Sequence, residues 1–317
     1  MNHQEIYNES DKGIRLDIFL LEYLKNISRT KIQKLINKGL IRIDDFIVKP
    51  SYKLKGKENI YVEYAQFETN HDLLGKENIP IEIIYEDSEL LAINKKAGMV
   101  VHPGAGNKNG TLLNGLLYHF DSLSNLNSSR PGIIHRLDKN TSGIMLIAKN
   151  DESHYFLSEQ FASRTIKRTY VALVWGDVKE EKGTITGNIG RNKKNRKIMT
   201  VFQDENEGKH AVTHYEVLER FRYVTLVKCH LETGRTHQIR VHLDHISHPV
   251  LGDPLYGYGY KTRINKLKSS VKVLVEKQGN SQALHAYKLG FEHPSTGEKL
   301  IFETDPPENM KSIIESF

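Results

Sequence analysis

One segment of the chain gathers polar side chains that could do chemistry around a single carboxylate. In the string PGIIHRLDKNTSGIMLIAK, Asp138 lies within three residues of His135, Arg136 and Lys139 and is followed by a Thr-Ser-Gly turn. A carboxylate that neighbouring cations keep ionised can act as a nucleophile or as a general base. The same residues also fit an Asx turn, in which Asp138 only caps the backbone ahead of a strand. This segment alone favours neither role.

A second group of candidate residues is rich in histidine. The string HQIRVHLDHISH contains His237, His242, His245 and His248, but it lacks the HExxH pairing of zinc enzymes, and Cys229 is the only cysteine. Neither common kind of Gly-rich phosphate loop is present. We therefore expect no metal and no organic cofactor, and we expect these histidines on a helix surface or facing phosphate groups.

Cys229 stands in an alternating run that is typical of a buried strand.

The elements that must position these residues begin near residue 81. Apolar alternation predicts strands in IEIIYED, LLAINK, GIMLIAK, TYVALVWG, HYEVLERF and YVTLVKCHLETG. Helical spacing predicts one helix around SHYFLSEQFASR and another from Thr236 to His245, capped by Thr236 and buried along Ile239, Leu243 and Ile246. Strands mixed with helices in this way predict an α+β fold with a mixed, largely antiparallel sheet and flanking helices.

The N-terminal part of the chain has a different texture. It predicts a helix in IRLDIFLLEYLK, a second helix capped by Ser28 and ended by Gly39, and short strands in LIRID, IVKPS and NIYVEY. We expect a small α/β domain over residues 1–65, a linker over 66–80, and a larger domain over 81–317.

Positive charge is concentrated in two places. The formal net charge is +6, and nine basic residues face two acidic ones between Ser28 and Lys57. Lys31, Lys34 and Lys38 share one face of the second helix, and the string GRNKKNRK holds a further basic cluster. This distribution favours an RNA partner, although a single helix of this kind can be merely solvated.

The N-terminal pattern resembles the alpha-L RNA-binding motif first known from a small-subunit ribosomal protein. The similar strings are RLDIFL, SRTKIQKLINKGLI and DDFIVKPSYKLKGKE. Asp45 and Phe46 stand where the motif often has Asn and Gly, so we expect a looser hairpin turn. The resemblance implies that RNA is contacted by Arg29, Lys31, Lys34, Lys38 and Arg42.

The remainder of the chain resembles the RluA-type pseudouridine synthases. HRLDKNTSG is similar to their signature, and the stretches that follow the family's order are NKKAGMVVHPG, RTYVALVWG, LETGRTHQIRVHL through HPVLGDPLYG, and QALHAYKLGFEHP. These enzymes break the bond from a uracil nitrogen to ribose and form a new bond from ring carbon 5, with no redox change. The resemblance therefore implies an RNA-modifying isomerase without a cofactor, in which Asp138 is the essential aspartate.

The family resemblance also assigns roles to further residues. It implies that Arg240 pairs with Asp138 and that Tyr170 stacks on a flipped uracil. We also expect RNA contacts from Arg136 and, in the basic cluster GRNKKNRK, from Lys193, Lys194 and Arg196. The residue types alone leave other roles open, because Arg240 could be a surface arginine with a snorkelling stem and Tyr170 could be core packing. Whether Asp138 attacks the sugar, adds to the ring or acts as a base also stays open.

These observations predict an enzyme that isomerises specific uridines in structured RNA. Ribosomal RNA of the 23S type is the expected substrate, and transfer RNA is the alternative. We expect a cytoplasmic protein because the sequence shows no apolar leader and no membrane-spanning run. We also expect a monomer. A noncatalytic RNA-binding protein is the competing interpretation. A carboxylate hydrolase would need a second positioned acid near Asp138, which the motif does not offer.

Overall fold

The structure is a computed structural model that describes residues 3–24, 29–63, 75–104, 106–127, 129–202, 204, 206–257, 259–279 and 281–317. The chain divides into two compact units. Unit 1 contains Met1–Gly75 with Ser124–Gly132, and unit 2 contains Lys76–Leu123 with Ile133–Phe317. Residues 64–74, which include most of the predicted linker, lie outside the described ranges, so the boundaries at 65 and 81 stay predictions.

Unit 1 combines two helices with a three-stranded antiparallel sheet. Its elements are β1 (His3–Asn8), α1 (Leu16–Tyr23), α2 (Arg29–Asn37), β2 (Ile41–Ile43) and β3 (Glu58–Glu63), and the strand order is β1-β3-β2. The side chains that fill its core include Leu16, Leu20, Ile32, Ile36, Ile41 and Ile60. Strand β1 was not predicted, because it is an edge strand in which most residues are polar. Ser28, the predicted cap of α2, lies outside the described residues.

The hairpin after β2 corrects two expectations. Asp44 and Asp45 both adopt left-handed backbone angles, with φ of 45° and 67°, and Ile43 and Phe46 exchange backbone hydrogen bonds of 3.0 and 2.8 Å. The turn is therefore tight rather than loose, since aspartate tolerates the positive φ that such two-residue turns require. The predicted strand IVKPS is wrong as well, because Ile47 is exposed and the segment pairs with no strand beyond the single bridge at Phe46.

Unit 2 is built on a ten-stranded sheet. Its strands are β4 (Glu82–Glu86), β5 (Leu90–Lys95), β6 (Ser142–Ala148), β7 (Lys167–Trp175), β8 (Lys182–Arg191), β9 (Met199–Phe202), β10 (Lys209–Phe221), β11 (Val224–Leu231), β12 (Leu284–Glu292) and β13 (Lys299–Glu303). The order is β4-β5-β6-β12-β7-β11-β10-β8-β9, and β13 pairs with β12. All of these pairings are antiparallel except β6 with β12. The predicted α+β class with a mixed, largely antiparallel sheet is confirmed.

In the described part of unit 2, six helices accompany this sheet. They are α3 (Leu112–His119), α4 (Asp151–Ala162), α5 (Gln238–His245), α6 (Tyr260–Ile264), α7 (Ser269–Lys277) and α8 (Glu308–Glu315). Helix α4 matches the prediction, whereas α3 was missed although Leu112, Leu113, Leu116 and Leu117 recur at helical spacing. Among the helices that the structure describes, none is long and apolar enough to cross a membrane.

The start of α5 differs from the prediction. Thr236 does not cap the helix; His237 occupies the N-cap position with a left-handed φ of 57° and makes no side-chain cap. The Gln238 side chain organises the preceding turn instead, accepting hydrogen bonds from the Thr233 hydroxyl and the Arg235 backbone N–H. Ile239 and Leu243 are buried as predicted, but Ile246 is only half-buried.

The pairing of β6 with β12 depends on a glycine in the Thr-Ser-Gly turn. Gly143 has a φ of +115°, and a Cβ placed on it would lie 2.6 Å from the backbone nitrogen of Ala286 and closer still to its carbonyl oxygen. A side chain would therefore force the two central strands apart, in addition to the strain of a positive φ.

We predict that Gly143→Ala lowers the free energy of unfolding by about 2–4 kcal/mol, because backbone strain and overpacking add. Urea unfolding followed by circular dichroism measures this change. The matched control is Gly290→Ala in β12, where the nearest atom would lie at an ordinary 3.5 Å. Equal losses in the two variants would contradict the proposed close approach at Gly143.

Candidate active site

The centre of the site is an ion pair between residues 102 positions apart in the sequence. The Nη1 atom of Arg240 donates to Oδ2 of Asp138 at 2.8 Å. Arg240 comes from α5 and its side chain is only 4% exposed, whereas Asp138, in the segment before β6, is 19% exposed. Arg240 is therefore not the surface arginine with a snorkelling stem that its residue type alone had left open. The carboxylate is the member of the pair that a ligand can reach.

A second carboxylate, which the sequence analysis missed, holds the other edge of the same guanidinium. Arg240 donates from Nε and Nη2 to the two oxygens of Asp253 at 2.6 and 2.9 Å, and the Asp253 side chain is fully buried. Asp253 also accepts backbone hydrogen bonds from Leu255 and Tyr256. Burial opposes the charge on Arg240, but its bonds to both carboxylates prevail and raise its pKa above the usual range.

The motif around Asp138 contains no second acid, as predicted, but the fold brings Asp253 to Arg240 from a distant stretch. Its oxygens are occupied by Arg240 and by backbone N–H groups, and it is closed to solvent, so it cannot serve as a partner acid in hydrolysis. The only signal for it in the sequence was its place in the stretch HPVLGDPLYG.

The contacts of Asp138 decide against a turn-capping role for its side chain. Thr141 donates its backbone N–H to the carbonyl of Asp138 at 3.1 Å, not to the carboxylate. Across the described residues, no backbone N–H donates to the Asp138 side chain. Its Oδ2 accepts from Arg240, and its Oδ1 lies 3.9 Å from Nε2 of His237.

A short hydrogen-bond chain orients His237. The Met199 backbone N–H donates to the hydroxyl of Tyr256 at 2.8 Å, and that hydroxyl lies 2.9 Å from Nδ1 of His237. Burial raises the pKa of Tyr256 to about 12, so the phenol keeps its proton and can donate it to Nδ1. Burial also lowers the pKa of His237 against the pull of Asp138. When Nδ1 accepts from Tyr256, the hydrogen of a neutral imidazole is carried on Nε2, which lies 3.9 Å from Oδ1 of Asp138.

The other histidines of this string are not gathered around one point. His242 is fully buried and bonded to the Thr213 hydroxyl at 2.9 Å, and burial lowers its pKa to about 4. His248 bonds to the carbonyl of Trp175 at 2.8 Å. The expectation of a helix-surface or phosphate-facing position is therefore wrong for His242. In the ranges that the structure describes, no three His, Cys, Asp or Glu side chains could hold a metal ion.

Tyr170 lies on β7 and lines the same cavity as Asp138, Arg240 and His237. The cavity has a volume of about 470 Å³. The ring is half-buried and packs against the apolar core beneath β7, and burial raises the pKa of its phenol. Tyr170 therefore packs against the core and also forms part of the cavity wall.

A buried lysine and a half-buried histidine brace the segment that carries Asp138. Lys95, which is 1% exposed, donates from Nζ to the carbonyls of Lys96, Met99 and Lys139 at 2.9, 3.0 and 3.1 Å. Burial lowers its pKa to about 7, while Asp138 favours the charged form. The three acceptors match the three hydrogens of an ammonium group. Lys95 was missed, although it stands at an inward position of the run LLAINK.

His135 is the second of these braces. Its Nε2 accepts the backbone N–H of Leu146 at 2.9 Å, and its ring packs 4.5 Å from that of Phe161. Burial lowers the pKa of His135 to about 3. The imidazole is therefore neutral, and it joins the HRLD segment to strand β6.

The predicted RNA contacts of unit 2 lie at the surface. Arg136 is exposed and lines the cavity that holds Asp138. Lys194 and Arg196 are exposed in the loop between β8 and β9. Lys193 lies in the same loop and forms a 2.6 Å ion pair with Glu207.

The predicted RNA contacts of unit 1 differ in their partners. Lys34 and Lys38 are exposed on α2. Arg29 pairs with Asp17 at 3.0 Å, and Arg42 pairs with Glu63 at 3.2 Å. The side chain of Lys31 lies outside the described part of the structure.

Comparison with known families matches both parts of the chain. A family model described as RNA pseudouridylate synthase matches residues 89–245, and one described as S4 domain matches residues 14–60. An uncharacterized RNA pseudouridine synthase of Bacillus subtilis is 44% identical over 98% of this chain and 96% of its own length. The ribosomal large subunit pseudouridine synthase D of Nitrosomonas europaea is 43% identical, over 96% of this chain and 84% of its own.

Solved structures give the same result for the fold. Human RNA pseudouridylate synthase domain containing 4 superposes with a TM-score of 0.57 at 25% identity, over 74% of this chain and 92% of its own. Human RNA pseudouridylate synthase domain containing 1 gives a TM-score of 0.56 at 26% identity, over 72% of this chain and 84% of its own.

The lowered pKa of His135 predicts a loss of stability in acid. Because the folded state holds this imidazole neutral, its contribution to the free energy of unfolding is present above pH 6.5. That contribution is lost as the pH falls toward about 3. The difference in unfolding free energy between pH 7 and pH 4.5 should therefore shrink by about 2 kcal/mol in His135→Gln, which keeps an acceptor for Leu146.

Urea unfolding at the two pH values measures this difference, with the exposed His245→Gln as control. A profile in His135→Gln as steep as that of the parent would contradict the assignment.

Proposed function

The chain belongs to the RNA pseudouridylate synthase family, and on that premise we propose that it converts uridine to pseudouridine in large-subunit ribosomal RNA with Asp138 as its catalytic carboxylate. The observation that carries this proposal is the Asp138–Arg240–Asp253 arrangement, which presents one ionised carboxylate to a cavity. The ribosomal substrate is supported by relatives whose names state it. Transfer RNA stays the alternative.

The chemistry of the isomerisation fits the geometry of the pair. One Asp138 oxygen is committed to Arg240, so the other oxygen is available to the nucleoside. The glycosidic bond must break and a bond to ring carbon 5 must form while the base stays in the site. No electron is gained or lost in this rearrangement, and we expect the reaction to need no cofactor.

Access to the reacting carbons requires that the uridine leave its stack. We propose that the flipped uracil enters the 470 Å³ cavity and stacks on Tyr170, whose flat, half-buried ring forms part of the wall. The neutral His237 places an N–H beside Asp138 and can donate to an oxygen of the nucleoside. A cavity of this volume lies within the usual range for sites that enclose small ligands.

The basic surfaces fit a role in holding RNA around the target. We propose phosphate contacts from Arg29, Lys31, Lys34, Lys38 and Arg42 in the S4-like unit and from Arg136, Lys193, Lys194 and Arg196 in the catalytic unit. The exposed positions of Lys34, Lys38, Lys194 and Arg196 support this proposal. Arg29, Arg42 and Lys193 would have to share or exchange their present carboxylate partners.

A noncatalytic RNA-binding role is less consistent with the site. Burying an arginine between two carboxylates carries a desolvation cost, which RNA binding at a basic surface does not require. Catalysis gives that arrangement a use, because it fixes a charged carboxylate in the cavity.

We predict that Asp138→Asn reduces pseudouridine formation to background while leaving RNA binding in place, because the change removes the charge and keeps the shape. Arg240→Ala should cripple turnover, and Arg240→Lys should recover only part of it, since an ammonium group lacks the planar fork that grips two carboxylates. Tritium release from uracil carbon 5 of labelled ribosomal RNA measures the rate.

A thermal melt of each variant serves as the control for folding. If Asp138 were only structural, its replacement would cost stability and leave the folded protein active. A folded Asp138→Asn chain that turns over at near the parent rate would overturn the proposed function.

A further inference from the structure

Arg168 stands beside the proposed base-stacking residue and points the same way. It lies on β7 two positions before Tyr170, and alternate residues of a strand project from the same face. Both side chains line the cavity that contains Asp138. Same-face neighbours on a strand are about 6.6 Å apart, so a single nucleotide can contact both.

The guanidinium of Arg168 has few partners for a half-buried cation. Its Nε is inaccessible to solvent and has no hydrogen-bond partner within the described ranges, and Nη2 makes one long bond of 3.4 Å to the carbonyl of Glu232. The group also lies 5.6 Å from the ring centroid of Phe161. Among the residues that the structure describes, no carboxylate forms an ion pair with it. Burial lowers the pKa of Arg168 below its usual value, although an arginine stays charged.

Arg240, which lines the same cavity, has its positive charge balanced by carboxylates. It is held by two carboxylates, whereas Arg168 is held by none of those described. Glu232, which also lines the cavity, bonds through its carboxylate to His214 at 2.6 Å. Arg164 and Arg235 add further positive charge along the cavity wall. This side of the cavity therefore has an excess of cations that an anionic ligand would offset.

We propose that Arg168 binds a phosphate group of the target nucleotide while Tyr170 holds its base. The inference rests on the proposed function and extends it by naming the group that is recognised beside the uracil. A guanidinium offers two parallel N–H donors to two nonbridging phosphate oxygens. Because Nε is closed to solvent, the edge that offers these two donors is the one formed by Nη1 and the weakly bonded Nη2.

A purely structural role would make a different prediction. The Arg168 stem and guanidinium pack near Phe161, so removal of the side chain could disturb the cavity wall without any phosphate being bound. Arg168→Met keeps an unbranched apolar side chain and removes the charge. Arg168→Lys keeps the charge and removes the fork. The matched control is Lys277→Met on α7, an exposed position outside the cavity that undergoes the same change of charge.

The test is a titration of each protein with uridine and with uridine 5′-monophosphate, followed by NMR. We expect the parent and Lys277→Met to bind the monophosphate about tenfold more tightly than the nucleoside, as one charge-assisted contact would give. In Arg168→Met the ratio should fall to near one with unchanged uridine affinity, and Arg168→Lys should lie between. For binding to a 23S ribosomal RNA transcript, the slope of log K against log salt concentration should become shallower by about one unit in Arg168→Met only.

Three outcomes would overturn the proposal. They are a parent that does not discriminate the two ligands, an Arg168→Met variant that keeps the parent's ratio and salt slope, and an equal loss of both ligands in that variant, which would indicate a structural role. None of these readouts involves turnover. Failure of the phosphate site therefore leaves pseudouridine formation intact, whereas failure of the proposed function would appear as the absence of that product in the parent.

Discussion

The site depends on one buried cation that two carboxylates share. Arg240 is closed to solvent and uses three nitrogens to hold Asp253 and Asp138, and only Asp138 faces the cavity. An arginine in this position would be costly if either partner were removed, because a charge would be left uncompensated in a low-dielectric interior. The group of three carries a net charge of −1, and the part of it that a substrate can meet is Asp138.

The architecture of unit 2 brings the members of this group together. Asp138 precedes β6 at the centre of the sheet, and Arg240 and Asp253 follow β11 on and after α5. Strand β6 follows the Asp138 segment and pairs in parallel with β12. Strand β12 also pairs with β7, the strand that carries Tyr170. Lys95 and His135 then fix the backbone around Asp138 through hydrogen bonds to carbonyl and N–H groups. Rigid strands and a helix, rather than a loop alone, thus set the position of the carboxylate.

Much of this could be predicted from the sequence, and the failures have physical reasons. Strand alternation and family resemblance predicted the α+β class and pointed to Asp138, Arg240 and Tyr170, which the structure places in one cavity. Asp253 and Lys95 were missed because their roles come from contacts that local patterns do not encode. The left-handed His237 was missed because a good capping residue, Thr236, stood beside it. Propensity describes the chain locally, whereas burial and ion pairing are decided by distant partners.

We propose that Asp253 and Arg240 act on the reaction only through Asp138. The most direct measurement is a double-mutant cycle of Asp253→Asn and Arg240→Lys, read as kcat/KM for tritium release from ribosomal RNA. Residues that work as one unit give strongly non-additive losses. We expect the double variant to be no more than about threefold slower than the worse single variant, well short of the product of the two losses. Losses that multiply would show that Asp253 and Arg240 have independent roles and would contradict a shared action through Asp138.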